Sequence, residues 1–181
     1  TPTGNVTVSD GLAGATCVGT VAAGSCNITS TTTGAKTLTA TYAGDANYTA
    51  SPASAGVPHQ VDASGTSVLI TQDTPDPSVV GQPVTVSFTV SGAAPTPTGT
   101  VTVLDGGVTF CTGTLAAGAG SCAAGFATVG TKSLTASYGG DATHGVSTSP
   151  AISHGVNAAG TVTSITAHTP DPSVVGNPIA M

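Results

Sequence analysis

The sequence predicts an all-β chain built as a tandem array of small two-sheet sandwiches, and three observations carry that expectation. Charged residues make up 6% of the 181 residues, with no Glu and no Arg, while Thr, Val, Ala, Gly and Ser dominate. Long helices draw on Glu, Lys, Arg, Leu and Gln, so this β-branched chain punctuated by Gly and Pro favours strands and turns. Second, Val84, Val86, Phe88 and Val90 alternate with Thr85, Ser87, Thr89 and Ser91, the period of two expected of a strand with one buried face. Third, Thr1-Pro2-Thr3-Gly4-Asn5-Val6-Thr7-Val8-Ser9-Asp10-Gly11 returns as Thr96-Pro97-Thr98-Gly99-Thr100-Val101-Thr102-Val103-Leu104-Asp105-Gly106, 96 − 1 = 95 residues later. The same spacing relates Thr74 to Pro83 with Thr169 to Pro178, which differ only at Gln82 and Asn177. A period this long means one small domain per repeat rather than a solenoid turn.

Registering the copies divides the chain into three parts: residues 1–62, a repeat lacking its first strands; 63–158, a complete repeat; and 159–181, the start of a third. Thr1 enters in the middle of a unit and Met181 stops shortly after another begins, so the expectation is a piece of a longer array. Neither a basic and apolar leader nor an apolar run of membrane-spanning length occurs in these residues.

Within the complete repeat each element follows from its local pattern. Thr66 to Gln72 reads as a first strand, and the proline-rich stretch Asp73 to Ser78 breaks it. The alternating strand Val84 to Ser91 comes next, then a turn over Gly92 to Thr98 with two prolines. Val101 and Val103 resume the alternation, and Asp105-Gly106-Gly107 is a turn signal. Two strands flank Ala116-Ala117-Gly118, after which Leu134, Ala136 and Tyr138 set an apolar face opposite Ser133, Thr135 and Ser137. Gly139-Gly140-Asp141 closes that strand, and a last one ends near His154-Gly155-Val156. About seven short strands at this turn spacing are expected to form a two-sheet sandwich. Asp62-Ala63-Ser64-Gly65 and Asn157-Ala158-Ala159-Gly160 read as inter-repeat linkers.

Each copy carries its own cysteine pair, Cys17 with Cys26 and Cys111 with Cys122, flanking an Ala-Ala-Gly turn signal. Eight and ten residues intervene, both even, as directly opposed positions on a hairpin with a two- or four-residue loop require; a three-residue loop would break that parity unless a bulge intervened. The reading is one disulfide per copy, with free buried thiols as the competing one; zinc lacks both a Cys-x-x-Cys and a nearby His pair. Closing so short a loop is worth about 2.5 to 3 kcal/mol in the chain-entropy model, a large share of the ~5 to 15 kcal/mol of a small domain. Oxidised pairs imply an extracellular or cell-surface location.

The order Pro-Thr-Gly-x-Val-x-Val-x-Asp-Gly, then a turn, then Lys-x-Leu-Thr-Ala-x-Tyr-x-Gly-Asp-Ala resembles the bacterial immunoglobulin-like repeats of large secreted and surface proteins. The signature stands at Pro2 to Gly11 with Lys36 to Ala46, and again at Pro97 to Gly106 with Lys132 to Ala142. The resemblance implies tandem immunoglobulin-like β-sandwiches of about seven strands per repeat, serving as stalk, spacer or adhesive module.

Composition excludes several function classes. A net charge of −6, with Lys36 and Lys132 as the only basic residues besides four His, is the wrong balance for tracking phosphates or anionic membranes. Aromatics at 3% and no Trp leave little platform for stacking bases or sugars. No cofactor, metal or catalytic set is expected. Gly118 to Ala123 fits a dinucleotide fingerprint only loosely, without the strand-to-helix context, and its copy-one counterpart Ala22 to Cys26 lacks the first glycine. His59 and His154 recur just before the final Val and are expected to make one backbone hydrogen bond each; His144 corresponds to Tyr48 and His168 to Asp73, so neither marks a shared chemistry. Asp10, Asp45, Asp105 and Asp141 recur in turns, where bonding to their own backbone explains them better than calcium, for which no Asp-x-Asp-x-Asp-Gly loop exists. The sequons at Asn5, Asn27 and Asn47 have Thr100, Ala123 and Thr143 as counterparts and carry no signal in so Thr-rich a chain.

The expected function is therefore a non-catalytic spacer of an extracellular bacterial repeat protein, its partners the neighbouring repeats and, in an adhesin reading, a surface protein or glycan gripped by end loops. An accessory domain of a secreted hydrolase is the third alternative.

Overall fold

The computed structural model describes residues 1–11, 14–169 and 171–181, and it is all-β. Its strands are β1 (Asn5–Ser9), β2 (Thr16–Thr20), β3 (Gly34–Tyr42), β4 (Val57–Val61), β5 (Thr66–Thr74), β6 (Ser78–Val79), β7 (Pro83–Gly92), β8 (Thr100–Asp105), β9 (Val108–Thr114), β10 (Ala119–Gly125), β11 (Gly130–Tyr138), β12 (Ser147–Thr148) and β13 (Ile152–Asn157).

From β5 onward the strands form two facing sheets, one in the order β10-β7-β5 and the other β6-β13-β11-β8-β9, with β12 added beside β11. The alternation in the sequence sets which side chains face inward. Val84, Val86, Phe88 and Val90 of β7 are buried, and across from them so are Val101 and Val103 of β8 and Leu134, Ala136 and Tyr138 of β11. Val68, Phe126 and Val156 complete this core. Burying such side chains contributes about 1.5 to 3 kcal/mol each, so the alternating strand is the centre of the unit's stability.

The first strand runs further than the sequence signals. β5 stays paired with β7 through Thr74, past a register shift between Ile70 and Gln72. The prolines at 75 and 77 then release the chain from that sheet, because proline offers no N–H to a ladder, and Ser78–Val79 pairs in parallel with β13 of the opposite sheet. The segment expected only to break a strand thus carries it from one sheet to the other.

The cysteine hairpin also differs from expectation. Ala117 (φ 52°) and Gly118 (φ 79°) make a two-residue turn with both central residues left-handed, bridged by Ala116 and Ala119. The strands then part: β9 pairs with β8 and β10 with β7, in different sheets. The register of the turn would set Ala124, not Cys122, opposite Cys111. The disulfide Cys111–Cys122, with Cα atoms 5.7 Å apart, therefore ties the edges of two sheets instead of crossing a ladder. Glycine permits the close approach. A Cβ at Gly113 would lie 2.3 Å from the Ser121 carbonyl oxygen, and one at Gly120 2.7 Å from the Phe88 ring.

Residues 1–62 repeat one sheet of this plan, in the order β2-β1-β3-β4. Val6, Val8, Leu38, Ala40 and Tyr42, the counterparts of fully buried Val101, Val103, Leu134, Ala136 and Tyr138, are only half-buried. Among the described residues no segment lies across them as β7 lies across its partners, and a groove lined by Val6, Val8, Val21 and Cys26 marks the place. Cys26 is disulfide-bonded to Cys17 of β2, but it sits in irregular chain, since the counterpart of β10 has no counterpart of β7 to pair with. The described residues of 161–181 hold no strand beyond a single bridge between Thr169 and Ala180.

Candidate functional site

Three polar constellations stand out against a chain so poor in ionisable groups. The first unites the two halves of the repeated signature. Asp141 Oδ1 accepts from the backbone N–H groups of Thr143 (2.8 Å) and His144 (2.9 Å), an Asx turn of the kind the sequence predicts. Its Oδ2 accepts from the backbone N–H and hydroxyl of Thr98 (2.9 and 3.1 Å), and the Tyr138 hydroxyl donates to the Thr98 carbonyl at 2.7 Å. Residues 43 apart in sequence are clasped by one carboxylate. Gly140 (φ 82°) precedes it because a Cβ there would lie 2.8 Å from the His144 carbonyl oxygen.

Copy one repeats the clasp. Asp45 accepts from Asn47 N and Tyr48 N through Oδ1 and from Thr3 N through Oδ2, and the Tyr42 hydroxyl lies within reach of both the Thr3 carbonyl and Asp45 Oδ2. The donated N–H groups of Thr143 and Thr98 hold the Asp141 carboxyl well below the usual carboxylate range, and those of Thr3, with Tyr42 and Asn47, do the same for Asp45. Loss of water around the ring, reinforced by Asp45, pushes the Tyr42 phenol up to about 12. Asp105 behaves differently from expectation, accepting from Ser133 N on β11, while Asp10 accepts from the Ser30 hydroxyl and residues 12 and 13 of its own turn lie outside the described residues.

The second constellation surrounds His154, and here the expected single backbone hydrogen bond is replaced by two side-chain ones. The ring is fully buried; Nδ1 meets Asp73 Oδ2 at 2.7 Å and Nε2 meets Ser78 Oγ at 2.9 Å, while Phe126 stacks on its face at 4.9 Å. The reason is the sheet switch, which delivers Asp73 and Ser78 to β13. His59, its counterpart, is exposed on β4 because copy one has no such segment. The Ser78–His154–Asp73 order is that of an activated serine, but Ser78 is 1% exposed, which keeps its hydroxyl from a substrate. The Asp73, Asp76 and His154 ligand-type atoms lie within 4.8 Å of one another; Nδ1 hydrogen-bonds Asp73 alone, and Asp76 Oδ1, 3.5 Å from it, accepts from the Gly155 N–H at 2.9 Å. Among the described residues the recurring turn aspartates join no such group.

The third is His144, buried against Asp141. The sequence pairing of His144 with exposed Tyr48 gave no reason to single it out, and the only signal was its departure from the other copy. Among the described residues no helix is long and apolar enough to cross a membrane.

A two-sheet sandwich with a sheet-switching first strand, a disulfide-tied edge and a Tyr–Asp clasp between strand ends has an immunoglobulin-like architecture. Residues 70–157 match the family model described as bacterial Ig-like domain (group 3). The chain also shows a distant likeness to the solved fibronectin(III)-like modules of Clostridium thermocellum CbhA, at 17% identity over 86% of this chain and 78% of that one, with a TM-score of 0.41. No curated protein matches it.

Proposed function

We propose that this chain is a non-catalytic spacer of an extracellular bacterial repeat protein, its immunoglobulin-like repeats (1–62, 63–158 and the start of a third at 159–181) separating or displaying other domains. The observation that carries the reading is the junction between copies. The linker is only four residues long, and it is bonded rather than slack: Ser64 N–H donates to the Thr143 carbonyl at 2.8 Å and Gly145 N–H to the Ser64 carbonyl at 2.9 Å. A spacer holds distance only if its joints are short and partnered, whereas a Gly/Ser tether would coil. The disulfides favour an oxidising compartment, and the near absence of charge suits a surface that contacts water alone.

Small-angle scattering of the chain tests this. A spacer gives a maximum dimension unchanged by ionic strength and background turnover on ester, glycoside and peptide substrates. Saturable binding to a glycan or surface protein, abolished by changing an end loop such as Ala93 to Thr96, would replace it with the adhesin reading.

A further inference from the structure

His144 lies on the loop that receives the linker, and its two ring nitrogens face acceptors on opposite sides. Nδ1 is 2.8 Å from Asp141 Oδ1 and 3.0 Å from Oδ2, with the Thr143 hydroxyl also at 3.0 Å; Nε2 is 2.9 Å from the Ala93 carbonyl oxygen. A carboxylate and a carbonyl only accept, so both contacts are hydrogen bonds only when both nitrogens carry a proton. A neutral imidazole has one N–H and would leave two lone pairs facing each other at one end. His154 offers the contrast: its Nδ1 faces a carboxylate but its Nε2 faces a serine hydroxyl that can itself donate, so the neutral ring satisfies both contacts.

The surroundings of His144 leave little slack. Against the ring stand Asp141 and Thr143 of its own loop, the Ala93 and Pro95 carbonyls from the loop after β7, and Gly92, where a Cβ would lie 2.9 Å from the ring. Tyr138 of β11 is the further titratable group at this end, its hydroxyl given to Thr98, and Thr66 of β5 bonds to Gly145 and Ser147. Asp141 is the charged group facing the ring. The same loop makes the junction: the backbone of His144 bridges Ser64, flanked by the Thr143 and Gly145 bonds to the linker, and the Thr33 hydroxyl of the first copy donates to the Ala142 carbonyl at 3.1 Å.

We propose that protonated His144 is a pH-sensitive latch on the joint between the repeats, fixing the 141–145 loop that the Asp62–Gly65 linker grips and loosening it when the proton leaves. Bonding to the Ala93 carbonyl and then to Asp141 raises the proton affinity of the ring above that of an ordinary histidine. The sign follows: a raised folded value means that the latch is fully closed below about pH 6.5 and is released as pH rises through the folded value. The joint is thus stiffer below the folded value than above it. The geometry of the junction carries this inference, whatever the repeats display.

The test uses the whole chain and two readouts. Imidazole nitrogen chemical shifts from pH 5 to 10 should show His144 still as imidazolium above pH 6.5, the ordinary histidine value. Amide protection at Ser64 and Gly145, corrected for intrinsic rates and referred to Val86 in the core, should fall by up to about tenfold per pH unit between about pH 6.5 and the His144 midpoint and level off above it. His144→Tyr, the copy-one residue, should abolish the pH dependence while the other three histidines remain. A neutral His144 at pH 6 in the unchanged protein overturns the proposal even if the variant fails to fold. Equal pH dependence in His144→Tyr overturns it as well, and neither result bears on whether the chain is a spacer.

Discussion

At the scale of single residues, the recurring Tyr-x-Gly-Asp string was legible as a turn with a self-bonding aspartate, and Asp141 and Asp45 make those bonds. Its reach to Thr98 and Thr3 was not legible, because nothing local in a sequence marks which carbonyl or N–H 42 or 43 residues away will face a carboxylate. Removing the buried Tyr138 hydroxyl by Tyr138→Phe deletes one hydrogen bond and leaves the Thr98 carbonyl short of a donor, so urea unfolding should show a loss of about 1 kcal/mol. The Asp141 carboxyl is held well below its ordinary value, so its contribution is present above about pH 3.9 and is lost only as pH falls through the folded value. Asp141→Asn should therefore flatten the acid limb of the stability profile, and a limb of unchanged steepness would show that the carboxylate titrates as an exposed group. His144 escaped notice for a related reason: comparing copies finds shared chemistry and hides a residue whose role belongs to one junction.

At the scale of elements, β7 could be read almost residue by residue, since Val84, Val86, Phe88 and Val90 are all buried as their alternation requires. The hairpin at Ala116 to Ala119 was read correctly as a turn and incorrectly as a ladder. Parity constrains which face a cysteine takes, but not whether its strand stays with its neighbour or joins another sheet. That choice is made by Gly113 and Gly120, which let β9 and β10 fold around the edge of Phe88, a tertiary packing event with no local signature. Two variants weigh these elements. Phe88→Ala empties the centre of the core and should cost about 3 to 5 kcal/mol, enough to unfold much of the unit at 37 °C by circular dichroism. Replacing Cys111 and Cys122 together by Ser removes a short-loop constraint and should cost about 2.5 to 3 kcal/mol, leaving a folded but less stable unit. If the double variant were as stable as the parent under oxidising conditions, the inter-sheet tie would be decorative.

At the scale of the whole molecule, the 95-residue period was the easiest feature to see, and it implies that equal sequence should mean equal structure; burial shows otherwise. Apart from Asp10, every buried residue among those described lies between Val68 and Val156, while Val162, Ile165, Val174, Val175 and Met181 are exposed. The cause is that a sandwich stabilises itself only when both sheets are present. Val6, Val8, Leu38, Ala40 and Tyr42 keep the inward pattern of their counterparts, yet among the described residues nothing equivalent to β5 and β7 faces them, and the transfer of four β7-type side chains out of water, roughly 1.5 to 3 kcal/mol each, is missing from that unit. That sum is comparable with the whole stability of a small domain. Hydrogen exchange on this chain should accordingly show its slowest amides between Thr66 and Val156, with β11 and β7 at the top. Amides of β1 and β3 should exchange by local opening well before global unfolding of the second unit, and residues 161–181 should exchange fastest. Adding a peptide with the sequence Pro83 to Gly92 in excess should slow exchange in β1 and β3 and leave β8 and β11 unchanged, since the groove beside Val6 and Val8 is open and its counterpart is filled. Protection in β1 equal to that in β8 without any peptide would mean that the first sheet is covered by some other route, such as a second chain, which sedimentation at two concentrations would reveal.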